Sequence, residues 1–306
     1  MTLLVVGSVA FDSVQTPFGK KERVLGGSAN FFSMSASLLT RVQLVGVIGE
    51  DFPEDHVGYL QQRGVDTAGL TRVPGRTFHW RGRYEYDLNE AHTLETQLNV
   101  FADFRPNLPE AFRRPDHLFL ANIDPELQAL VLEQVTRPKL VALDTMNYWI
   151  SGKRQALLKV LRDVDVLFVN DAEARQLSGE HNVVKAGAAI RKMGPRTVII
   201  KRGEYGALML EHGTAFYVPA YPLEDVFDPT GAGDTFAGGV MGALDRWGGF
   251  NTQTARQAMV VGGVLASFVV EDFSFDRLRT TSLEDVQRRY ADLRQFTDFK
   301  DLPTAD

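Results

Sequence analysis

The sequence predicts an α/β protein with a doubly wound, mainly parallel sheet, helices on both faces, and a small β-sheet lid. Three observations carry this expectation. Short continuous apolar runs, the pattern of strands buried on both faces, recur between amphipathic segments. The stretch RTFHWRGRYEY at 76–86 alternates, with Phe78, Trp80, Tyr84 and Tyr86 on one face and His79, Arg81, Arg83 and Glu85 on the other. That is the period-two pattern of an antiparallel strand solvated on one side, which does not belong in the middle of a doubly wound sheet. Finally, a glycine-punctuated turn, DPTGAGDTFAGG at 228–239, opens onto Phe236, Val240, Leu244 and Trp247 at helical spacing.

Thr2 to Val6 is the first buried strand, ending at Gly7. Asp12 follows near its carboxyl end, where ligands of open α/β sheets gather; it either holds substrate hydroxyls or is an exposed turn aspartate. In LGGSANFFSMSASLL, residues 25–39, Gly26, Gly27 and Ser28 form a turn that delivers a helix. Asn30, near the start of that helix, can both donate to and accept from a carbohydrate. Phe31 and Phe32 follow, and they would suit a base. Gln43 to Ile48 is the next strand, leading into a helix with an acidic first turn. Segments at about 13–24 and 76–103 make the lid. Its inner aromatics would stack on a sugar ring or a base, or simply pack, and Asn99 is its polar residue facing the substrate.

From Pro106 onward, strands at 117–121, 139–143 and 164–169 alternate with helices at 125–135 and 155–162. Asp144 and Asn147 end one strand, and Asn170, Asp171 and Glu173 end another, so these tips line the same crevice as Asp12. Asn170 and Glu173 also read as a plain helix cap. After the strand at 197–200 comes KRGEYGALML, in which Gly203 and Gly206 permit a tight turn into a hairpin across His212-Gly213. Lys201 either meets nucleotide phosphate or is a surface lysine. In the long helix at 252–270, Gly262 and Gly263 suit close helix packing or ligand approach, and Ala258 and Ala266 are small enough to flank an adenine. Ser282 starts a last helix with Leu283, Val286, Tyr290 and Leu293 as its apolar stripe.

The turn at 228–239 carries the chemistry. Backbone N–H groups at a helix N-terminus lack intrahelical partners and share the positive end of the dipole, so Gly-Ala-Gly there suits a phosphate. A carboxylate beside such a site repels a bound anion, which is awkward for binding but is what a general base for an attacking hydroxyl requires. The twelve-residue string resembles the signature of the PfkB, or ribokinase-like, carbohydrate kinases, in which the aspartate of GAGD is the base. The GGSAN segment resembles the second signature of that family, and Asn170-Asp-Ala-Glu173 resembles its N-x-x-E motif.

The resemblance spans nearly the full length and implies one ribokinase-like domain over 1–306. It makes Asp234 the base, with Gly231, Ala232 and Gly233 as the anion hole. Asp12, Gly26, Gly27, Asn30 and Asn99 would hold the substrate. Asn170, Glu173, Lys201, Gly203, Asp228, Thr230, Ala258 and Gly262 would face ATP, and Glu173 would help hold Mg2+ through water. A monovalent cation such as K+ and a homodimer formed through the lid are compatible with it.

Composition narrows the rest. A net charge of −6 argues against general nucleic-acid affinity. Without cysteine there is no disulfide or thiolate metal site, which fits a reducing cytoplasm. The N-terminus lacks the basic region of a signal peptide, and the longest apolar run, Ala258 to Val270, is too short to span a bilayer. Neither a Walker pattern nor a dinucleotide fingerprint occurs. The expected function is transfer of the ATP γ-phosphoryl group to a sugar hydroxyl. An adenosine-like nucleoside kinase and a non-catalytic metabolite sensor are the alternatives.

Overall fold

A computed structural model describes residues 1–89 and 91–300. The first strands are β1 (Leu3–Val6), β2 (Ala10–Thr16) and β3 (Gly19–Gly26), then α1 (Ser28–Ala36), β4 (Val42–Ile48), α2 (Glu54–Gln62) and β5 (Val65–Arg72). Next come β6 (His79–Tyr84), β7 (Ala91–Gln97), β8 (His117–Leu120), α3 (Pro125–Leu132), β9 (Leu140–Asp144), α4 (Asn147–Gly152) and α5 (Arg154–Val160). They are followed by β10 (Val166–Asn170), α6 (Asp171–Ser178), α7 (Val183–Arg191), β11 (Thr197–Lys201), β12 (Ala207–Glu211) and β13 (Thr214–Val218). The chain closes with α8 (Ala232–Arg246), α9 (Thr252–Val269), α10 (Asp276–Thr280) and α11 (Leu283–Phe296).

Nine strands form the main sheet in the order β13-β12-β11-β10-β9-β8-β1-β4-β5. It is parallel from β5 to β11 and ends in the antiparallel β12–β13 hairpin. Strand alternation sorts the core. Leu3 and Val5 enter one apolar cluster with α1, α8 and α9, while Leu4 and Val6 enter the cluster on the opposite face. From β1 the chain moves outward through β4 and β5, then resumes on the other flank at β8. The strand order therefore reverses beside β1, and the carboxyl-end crevice opens at that switch point.

The four-stranded lid has the order β3-β2-β6-β7. It begins at Ala10 and thus takes in Asp12, earlier than the expected start near residue 13. The strand expected over 76–86 is confined to His79–Tyr84, and it runs parallel to β2 and antiparallel to β7. Tyr86 lies outside it and is 84% exposed, so it does not belong to the inner aromatic face. The last lid strand ends at Gln97, and Asn99 sits in the single 3-10 turn that follows. Trp247 caps the carboxyl end of α8 and is partly exposed, so it adds little to the apolar stripe of that helix.

Candidate active site

The turn at 228–239 folds into the N-terminus of α8. Gly231 is its N-cap at φ 75°, a backbone conformation that favours glycine, and a Cβ there would stand 2.4 Å from the Phe31 ring. The Asp228 carboxylate pulls the turn tight, accepting from the Thr230 amide at 2.9 Å and from the Ser274 amide at 3.4 Å. Of the three amides expected to form the anion hole, that of Ala232 already donates to the Pro229 carbonyl at 3.1 Å. An anion cradle here would draw on the other two, the amides of Gly231 and Gly233. Gly233 also leaves space for Lys201, whose Nζ would stand 2.9 Å from a Cβ placed there.

Asp234, the third residue of α8, belongs to an acidic cluster with Asp144 and Glu173. Burial, and then the Asp144 charge, push its carboxyl up to about 7, against the opposing pull of Lys201. Glu173 is also pushed up to about 7 by burial, with Lys201 lowering it and Asp144 raising it. One cation serves the whole cluster: Lys201 Nζ donates to Asp144 Oδ2 at 2.6 Å. Burial alone would lower the Lys201 ammonium, but Asp144, Glu173 and Asp234 together raise it. The sequence leaves Lys201 as a nucleotide-phosphate contact or a surface lysine; in the structure it is largely buried and paired with Asp144, which removes the surface reading. Asp144 had been read only as a strand tip.

Asn170 and Glu173 form a full capping box at the start of α6. Glu173 N donates to Asn170 Oδ1 and Asn170 N to Glu173 Oε2, each at 2.7 Å. Among the described residues, no group of three or more His, Cys, Asp or Glu is arranged to hold a metal by itself. A Mg2+ that arrives on nucleotide phosphates and keeps several waters still fits here. Glu173, buried beside Asp144, is the carboxylate that such an ion would approach.

On the substrate side, Asp12 lies in β2 with its carboxylate folded over Gly26, where a Cβ would meet Oδ2 at 1.9 Å. At Gly27, φ 97°, a Cβ would stand 2.6 Å from the Ser8 carbonyl. The glycine pair thus makes room for Asp12 and for a backbone crossing. Burial, with a contribution from Asp228, pushes Asp12 up to about 8 against a hydrogen bond from the Gly27 amide. Asn30 is fully buried, its Nδ2 donating to the Gly26 carbonyl at 3.2 Å and its Oδ1 facing His56 Nε2 at 3.0 Å. Arg279 Nη2 reaches the other ring nitrogen of His56 at 3.0 Å. Burial and Arg279 hold His56 down at about 4, so the neutral ring donates from Nε2 to Asn30 and accepts from Arg279. Nothing in the sequence tied His56 or Arg279 to this site.

Several expected contacts fall elsewhere. Phe32 is fully buried and stacks on Phe119 at 4.2 Å, and Phe31 packs on Phe275 at 4.3 Å, so neither offers a face to a base. Ala258 and Gly262 are buried along α9, with Gly262 packed on Val240 and Phe236 of α8. They serve helix packing and have no surface for adenine. Asn99 is exposed, with its amide donating to the Thr77 carbonyl at 2.9 Å, which ties the segment after β7 to the one before β6. Two other lid residues meet the turns of the site. The Tyr84 hydroxyl accepts from Thr230 Oγ1 at 3.3 Å, and Asn89 stands against Gly203. Burial raises the Tyr84 hydroxyl well above its usual value. A cleft of about 700 Å³ between β13, α9 and α11 is lined by Phe216, Val218, Pro219, Val260 and Tyr290.

Comparison with known proteins fits this geometry. Residues 3–277 match the pfkB family carbohydrate kinases. A cytidine kinase from Thermococcus kodakarensis is 31% identical over 252 residues, covering 80% of this chain and 89% of that protein. A nucleoside kinase from Methanothermobacter thermautotrophicus is 26% identical over 285 residues, covering 88% and 89%. An E. coli protein carrying the name ribokinase II, solved with ATP and Mg2+, superposes with a TM-score of 0.75 at 18% identity, covering 95% of this chain and 99% of that one.

Proposed function

Because the chain belongs to the pfkB family of carbohydrate kinases, ATP-dependent phosphotransferases, we propose that it phosphorylates a hydroxyl of a nucleoside, with cytidine as the first acceptor to test. The 31% identity to a cytidine kinase across most of both chains carries the choice of acceptor over a free sugar. It reverses the preference that the sequence alone gave.

The acceptor hydroxyl attacks the γ-phosphorus in line, its proton passes to an Asp234 carboxylate oxygen, and the bond to the ADP oxygen breaks. A carboxyl pushed up to about 7 is matched to this task, because it is part deprotonated at neutral pH and still basic enough to take the proton. The open amides and dipole of α8 stabilise charge on the transferring group. Mg2+ on the nucleotide phosphates, beside Glu173 through water, would neutralise their charge. Lys201 offsets part of the repulsion between Asp144 and Asp234 and so holds the cluster together. Asp12 holds ribose hydroxyls, and its pKa of about 8 lets it donate as well as accept. The cleft beside β13, whose lip at Pro219 adjoins the Gly203–Gly206 turn, would take the adenine.

ADP release measured with cytidine, uridine, adenosine, ribose and a sugar acid tests the proposal. A nucleoside should exceed every free sugar in kcat/KM by at least about tenfold, equal to about 1.4 kcal/mol. A sugar that leads the panel would overturn it.

A further inference from the structure

One member of the aromatic alternation is not used by the site as built so far. Trp80 of β6 is the direct partner of Asp12 on β2, so both side chains leave the lid on the same face. The six-membered ring of Trp80 lies across Gly82. A Cβ at Gly82 would stand 2.0 Å from Cη2, 2.3 Å from Cζ2 and 2.8 Å from Cζ3, so no larger residue could sit under the ring. Its Nε1 donates to Thr93 Oγ1 at 3.1 Å, on the neighbouring strand β7. Two residues beyond Gly82, Tyr84 reaches down to Thr230, which identifies this face as the one turned to the crevice. Trp80 is only half-buried. One side of the indole rests on the strand and its edge is pinned, and the partly exposed ring shares a lid face with Asp12, one strand away.

A fixed aromatic plate next to a hydroxyl-binding carboxylate has the chemistry to hold a two-part ligand. The two rings of a nucleoside are joined by a single bond, so side chains on adjacent strands can take one each. We infer that Trp80 is the stacking platform for the nucleobase of the acceptor, with Asp12 holding the ribose, and hence the residue that separates nucleosides from free sugars. This inference rests on the nucleoside reading above. Stacking tolerates any planar base, so Trp80 selects for the presence of a base and leaves the choice among bases to other groups.

Steady-state kinetics of Trp80→Leu and Trp80→Phe, with cytidine, uridine and ribose as acceptors, test it. The Leu variant should raise KM for both nucleosides about 10- to 100-fold, the range base stacking supplies, with kcat and the ATP KM changed by less than about threefold. KM for ribose should not move, and Phe should restore most of the loss. The second readout is fluorescence of Trp149→Phe/Trp247→Phe, which leaves Trp80 as the only tryptophan. Cytidine should change its emission and ribose should not. Nucleoside KM values in Trp80→Leu within twofold of the parent, or an emission blind to cytidine, would overturn the inference while nucleoside turnover by the parent leaves the proposed function standing. A parent enzyme that turns over ribose but no nucleoside would take down both.

Discussion

Removing Lys201 tests how the acidic cluster is held. In Lys201→Met, Asp144 keeps its buried position without its 2.6 Å partner, and Glu173 and Asp234 lose the cation that, among the described residues, opposes their burial. Deleting one partner of a buried ion pair costs about 3–5 kcal/mol. For a chain of this length, with about 2 °C per kcal/mol, that is a fall in Tm of about 6–10 °C at pH 8. The loss should shrink toward pH 6, because carboxyls already pushed up to about 7 can take protons and shed the uncompensated charge. The kinetic sign follows from the same interaction. Lys201 favours the charged form of Asp234, so without it the base stays protonated to higher pH. The acid limb of kcat/KM should then move up by about one pH unit or more. Scanning fluorimetry at pH 6 and 8 and a pH–rate profile measure both effects. An unmoved acid limb with a raised KM for ATP would refute this reasoning, and would return Lys201 to the phosphate-contact role read from the sequence.

Three further outcomes are expected. Asp234→Asn should bind ATP and cytidine in calorimetry but lose about 10²- to 10⁴-fold in kcat, and near-parental turnover would remove Asp234 as the base. The unliganded enzyme should lose stability as pH rises from about 6.5 to 8. Asp12 at about 8, and Glu173 and Asp234 at about 7, bind protons in the folded state that the unfolded chain has already released, so each proton contributes a slope of about −1.4 kcal/mol per pH unit. His56, held at about 4, works the other way but only below about 6.5, and a Tm that rises across pH 6.5–8 would contradict the cluster as described. Gly231→Ala should cost about 1–3 kcal/mol in denaturant unfolding, since φ 75° strains any side chain and the Cβ meets the Phe31 ring 2.4 Å away, whereas a neutral result would mean the turn can relax.

Most of the fold was legible because its signals are local. Continuous apolar runs marked the parallel strands, and His212-Gly213 marked the hairpin that joins β12 to β13 at Gly213, φ 72°. Asp228 to Gly239 announced its own turn and helix. What could not be read depends on contacts across long separations. Lys201 meets Asp144 57 residues away, and Arg279 meets His56 223 residues away. Spacing along one segment carries no trace of such a pair. The errors at Ala258 and Gly262 have a related cause. Small residues on a helix suit a ligand and a neighbouring helix equally well, and only the approach of α8, with Gly239 facing Gly262, decides between them. In the lid, β6 ends at Tyr84, so counting by twos carried the alternation two residues past the strand and grouped Tyr86 with Trp80 and Tyr84.

The division of labour between core and lid explains why chemistry was easier to read than substrate. Asp234 and its amides sit on one helix end, and a helix N-terminus is written in a handful of adjacent residues. Asp12, by contrast, belongs to a lid strand while its carboxylate depends on glycines at the start of α1 and on the charge of Asp228. The lid bearing it touches the Gly231 turn through Tyr84 and the Gly203 turn through Asn89. Both contacts are made only when the lid lies against the core. With Tyr84 already against Thr230, the lid face that bears Asp12 and Trp80 lies over the Gly231 turn, where it would keep water from a phosphoryl group in transfer. Acceptor identity is thus written in how three separate segments meet, and no single one of them states it.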